Sequence, residues 1–164
     1  RRRSGWLRRA LAAAAVVAVG LLIAAVWLRI AAHRGEEQTQ VQVAVVDAAR
    51  AAAVTLLTAD PAHPDAYVAK ALAVTTGEQR TRLVAASAAL RSAVAEQRAP
   101  STGRILGAGL LTDPGHGASA QVLLVVAASN PELVGGDPDT DRITVSFTMI
   151  RVDGAWRVGA TVPV

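Results

Sequence analysis

The chain has 164 residues, a net charge of +4 and no cysteine. The charge is unevenly divided: residues 1–34 carry seven arginines and no acid, whereas residues 35–164 carry ten basic and thirteen acidic side chains. The larger part is therefore mildly acidic, which argues against a nucleic-acid partner, and the lack of cysteine excludes a disulfide framework.

Ala10 to Leu28 contains no charged, amide or hydroxyl side chain. A bilayer core takes about 20 mainly apolar residues as helix, so the pattern predicts a basic tail over residues 1–9 and a transmembrane helix over residues 10–30. Arg1, Arg2, Arg3, Arg8 and Arg9 precede the apolar run. Only Arg29 and Arg34 follow it, with Glu36 and Glu37 directly behind. The heavier arginine cluster stays in the cytoplasm, where it meets anionic lipid, and residues 31–164 are expected outside. Trp6 and Trp27 stand 21 residues apart, roughly 31 Å along a helix. With Arg8, Arg9 and Arg29 they are expected at the two membrane interfaces. A cleaved signal peptide has a shorter apolar core ending in small residues; here Val26, Trp27, Leu28 and Arg29 stand in that place. Ala12, Val16, Gly20 and Ala24 recur every fourth residue and form a stripe along which a partner membrane helix can pack.

Beyond the anchor the pattern predicts one α+β domain, with helices over 36–98 and sheet over 101–163. Residues 41–57 read as an alanine-rich helix. Val45, Ala48, Ala52 and Leu56 face the core and Asp47 and Arg50 the solvent, and the valines at the start leave a strand reading open there. Pro61 and Pro64 end this helix. Asp65 reads as the N-cap of a second helix over 66–75, with Gly77 as its stop. A third helix is expected from Glu78 to Gln97 on Leu83, Ala86, Leu90 and Val94.

After Pro100 the period changes to sheet. Strands are expected over 102–112 and 119–128, with a Gly/Pro-rich turn between them, and over 142–152 and 155–162, joined by Asp153-Gly154. A two-residue Asp-Gly turn sets the register: Val152 opposite Ala155, Arg151 opposite Trp156, Met149 opposite Val158, Phe147 opposite Ala160 and Val145 opposite Val162. That register puts Phe147, Met149, Trp156 and Val158 in the core, together with Ala160 and Val162.

No pattern points to catalysis, a metal or a cofactor. His33, His63 and His116 have no second histidine at i+3 or i+4, and no cysteine is present. No nucleophile elbow surrounds Ser119. The segment from Gly103 to Gly109 lacks the Lys-Ser/Thr of a phosphate loop. Asp137, Asp139 and Asp141 alternate without the Gly and distal Glu of a calcium loop.

Asp47-Ala-Ala-Arg50, Thr76-Gly77 with the polar run behind it, and Val152-Asp-Gly-Ala-Trp156, set behind a basic start and one apolar helix, resemble the Mce-associated membrane proteins of mycobacteria and related actinobacteria. The chain departs from that pattern at the Pro-rich Asp60 to Pro64 and in the Gly- and acid-rich Asn130 to Asp141. The resemblance implies a nuclear-transport-factor-like (SnoaL-like) cone of three helices on a four-stranded antiparallel sheet. It also implies a non-enzymatic accessory role beside an Mce-type importer of fatty acids or sterols. The expected partners are membrane lipid and transporter subunits, and the expected place is the plasma membrane, with the domain on the periplasmic side. Two rivals stand beside this expectation: a lipid-binding module with its own apolar cavity near Ile143, Phe147 and Met149, and a SnoaL-like enzyme.

Overall fold

The computed structural model describes residues 38–115, 117–134 and 140–164. The membrane helix expected over 10–30 lies outside the described residues, together with its stripe Ala12, Val16, Gly20 and Ala24 and its interface residues Trp6, Arg8, Arg9, Trp27 and Arg29. The chain divides into two compact units, Arg1–Gln40 and Val41–Val164. The second is an α+β domain with four described helices and an open, four-stranded antiparallel sheet.

Helix α1 is Gln38–Leu57. Its length and mean hydropathy would allow it to cross a membrane, but length and composition also suit a core helix. Val45, Ala49, Ala52, Ala53, Leu56 and Leu57 are buried in the cluster that also holds the inner face of the sheet. On the solvent side Arg50 pairs with Asp47 at 3.4 Å. The strand reading of its first residues is not realised, and the buried stripe centres on Ala49, with Ala48 only half-buried.

Helix α2, Pro64–Val74, begins two residues earlier than the capping argument placed it. His63, not Asp65, is its N-cap residue, and Pro64 takes the first turn, where its missing N–H costs nothing. Asp65 lies inside that first turn, where a carboxylate favours the helix dipole, and accepts from Arg91 Nε at 2.6 Å. Gly77 does not stop this helix; it opens α3, Gly77–Ala85. The single helix expected up to Gln97 is two, because Ala86 leaves helical geometry before α4, Ser87–Ala95. The break lets the two pieces follow different partners: α3 lies along β4, and α4 packs on α2 through Val94, Tyr67 and Val68. Tyr67 donates to the Leu56 carbonyl at 2.7 Å, satisfying one of the acceptors left at the end of α1.

Strands β1 (Gly103–Thr112), β2 (Ser119–Ala128), β3 (Arg142–Val152) and β4 (Ala155–Pro163) follow one another in the sheet. Burial alternates cleanly along β2 and β3, as it does when one sheet face is core and the other is not. Asp153 and Gly154 both have positive φ, 52° and 81°, the primed turn that suits a twisted hairpin.

Opposite this turn the register follows the expected pairs from Val152–Ala155 to Met149–Val158. It then slips by one residue at a bulge, so that Thr148 faces Ala160, Phe147 faces Thr161 and Ser146 faces Val162. A one-residue slip moves every later side chain to the opposite face. Ala160 and Val162 therefore leave the core side, and Val162 is exposed. Phe147, Met149 and Val158 are fully buried, whereas Trp156 is only partly buried at the margin of the same cluster.

The free edge of β4 is partly covered. The Thr76 amide donates to the Val158 carbonyl at 2.8 Å, and Thr75 forms a parallel bridge with Val158. The buried Thr75 hydroxyl returns to the Ala71 carbonyl at 2.9 Å. A sheet edge closed in this way is a poor template for stray pairing.

Candidate functional site

The strand register defines the outer face of the sheet residue by residue. Gln121, Leu123, Val125 and Ala127 on β2 alternate with the buried core residues and so point outward. On β1 they pair with Thr112, Gly109, Gly107 and Arg104, and on β3 with Thr148, Ser146, Thr144 and Arg142. The bulge adds Ala160 and Val162 of β4 to the same face, beside Thr148 and Ser146. No described element covers this face. Its centre is uncharged, with small or medium side chains, and at Gly107 and Gly109 the backbone itself is the surface. Arg104 and Arg142 lie at one end and Arg157, opposite Ile150, at the other.

Two neighbouring clefts meet at Ser129, at the end of the sheet where β1 begins and β2 finishes. One has about 340 Å³ and is lined in part by Arg104, Ala127 and Asp141; the other has about 270 Å³ and is lined in part by Gln97, Arg98 and Asn130. Two of the hydroxyls lining them are occupied with the backbone. Ser101 Oγ accepts from the Ala59 amide at 3.0 Å and Ser129 Oγ from the Thr102 amide at 2.9 Å. Both serines fasten neighbouring backbone segments at the ends of strands. Neither cleft reaches Ile143, Phe147 or Met149, which lie together in the main buried cluster.

The remaining sequence candidates are dispersed. His63 sits on an exposed turn with Nδ1 2.9 Å from Asp60 Oδ2. That hydrogen bond, joined by one from the Ala62 amide, holds the Asp60 carboxyl below its ordinary value. Ser119 and Arg151 are exposed at the same end of the sheet. His33, His116, Asp137 and Asp139 lie outside the described residues. Among the described residues no three of His, Cys, Asp and Glu gather where they could hold a metal ion. The hairpin's outer face with Thr144, Ser146, Thr148 and Arg157 follows from the alternation; what sequence reasoning missed is that Ala160 and Val162 of β4 join it, because they were assigned to the core. The one available signal was Gly159, a residue without a side chain in the interior of a strand.

The fold and this surface define an α+β domain with one sheet face packed by helices and the other covered by no described element. No protein-family model matches the chain, and no curated protein matches it either.

Proposed function

We propose that this protein is a membrane-anchored accessory subunit that acts by contact, helping to assemble or stabilise an Mce-type lipid import complex at the plasma membrane. The observation that carries the reading is the outer face of the sheet, which no described element covers: an uncharged centre with arginines at its ends, a surface suited to contact. The resemblance of Asp47 to Arg50, Thr76-Gly77 and Val152 to Trp156 to the Mce-associated membrane proteins supplies the transporter as partner. It also supplies the finer description of the fold as a nuclear-transport-factor-like cone. The apolar run from Ala10 to Leu28 and its arginine-rich flank support a single-pass anchor with the domain on the outer, periplasmic side.

In this reading the anchor docks along Ala12, Val16, Gly20 and Ala24, where small side chains allow close helix approach in lipid, and the domain adds a second contact. Gly20→Leu tests it. The variant should insert into the membrane and melt like the wild type, yet recover much less of the transporter on mild-detergent purification. Recovery at the wild-type level would remove the stripe as the docking surface.

A further inference from the structure

The charge pattern of the outer sheet face restricts what can cover it. The face carries Arg104, Arg142 and Arg157, and no Asp or Glu occupies an outward position on any of its four strands between those arginines. Among the described residues none of the three arginines has a carboxylate within ion-pair distance. A second copy is a poor occupant. A two-fold contact sets the same patch against itself, and with the strands of the two copies aligned, parallel or antiparallel, arginine ends meet arginine ends. Like charges brought together in this way oppose association.

Size gives a second restriction. From Arg142 to Ile150 the face runs about 27 Å, and its four strands span about 14 Å, roughly 400 Å² at ordinary strand spacings. A stable interface buries about 800 Å² on each partner. This face alone therefore makes a weak contact, which becomes effective when both partners are held side by side, as two anchored proteins are.

We infer that the outer face of the sheet docks onto a flat, acidic surface of a different protein. The partner presents small uncharged residues opposite Leu123, Ser146 and Thr144, and carboxylates opposite Arg104 and Arg142 at one end and Arg157 at the other. The inference rests on the proposal that the chain acts by contact, but not on the partner being a lipid importer.

The test places a photo-crosslinking residue at Ser146, in the middle of the face, in the full-length chain within its native membrane. The expected product is an adduct with another polypeptide whose crosslinked segment is bordered by Asp or Glu. Arg104→Glu combined with Arg142→Glu should lower the adduct yield about tenfold, as lost charge complementarity does at a small interface. Lys70→Glu, on the helical side, should leave it unchanged, and matching melting temperatures show that both variants fold. An adduct with a second copy or with lipid, a yield indifferent to the arginine reversals, or no adduct would overturn the inference. An acidic partner foreign to lipid import would keep the docking surface and remove the functional reading. Co-purification of the importer without an adduct at Ser146 would do the reverse.

Discussion

The Ile150 side chain fills the space that a Cβ on Gly159 would need; Ile150 Cγ1 lies 2.9 Å from that position and Cδ1 lies closer still. The bulge that turns Ala160 and Val162 outward therefore sits where β3 leaves no room for a side chain on β4. Gly159→Val should cost about 1–3 kcal/mol, as overpacking does, and Ile150→Ala in the same chain should recover part of that loss. Thermal melting of the two single variants and the double variant measures the coupling. Losses that simply add would show that the two residues do not compete for space.

Phe147 and Trp156 should separate in the same assay. Phe147 is fully buried in the main cluster, whereas Trp156 is only partly buried at its edge. Phe147→Ala should cost about 3–5 kcal/mol, as large aromatic truncations in cores do, and Trp156→Ala distinctly less. Equal losses would place Trp156 in the centre of the core.

Tyr67 is the only tyrosine in the chain, so its ionisation can be followed directly by ultraviolet absorbance. Burial pushes its phenol up from the ordinary 10 to about 12. The fold favours the neutral form, so this contribution to stability is fully present below pH 10 and is lost as pH rises through about 12. Tyr67→Phe should remove that alkaline loss. It should also cost about 1 kcal/mol at neutral pH, because the Leu56 carbonyl loses its donor. A tyrosinate transition at the ordinary value in the folded protein would contradict the buried environment.

The strands of this domain were legible because β2 and β3 alternate between core and outer residues, and Asp153-Gly154 marks their hairpin partner. The helices were legible as a region, and so was the break after Leu57, but the division at Ala86 was not. Ala86 has no helix-breaking chemistry, and the division there follows from what α3 and α4 pack against, which is tertiary. Asp65 looked like a cap because Asp is a good one, but Pro64 is equally suited to the first helical turn and moved the start by two residues. The place of Ala160 and Val162 depended on the bulge, which sits where Ile150, nine positions earlier and on another strand, leaves no room for a side chain. A face that changes at a single glycine could not be read from alternation alone.

The proposed topology has its own check. Protease added outside intact spheroplasts should remove residues 41–164 and leave the arginine-rich segment Arg1 to Arg9 protected. Protection of the domain would reverse the orientation argued from flanking arginines.

The most direct measurement of contact-based function is purification of the full-length chain from its native membrane in mild detergent, followed by identification and quantification of what elutes with it. An accessory subunit should elute with lipid importer subunits at a fixed stoichiometry, and should be partly released when Arg104 and Arg142 are reversed to Glu. Elution of the chain alone, or with an assembly unrelated to lipid transport, would contradict the role proposed for it.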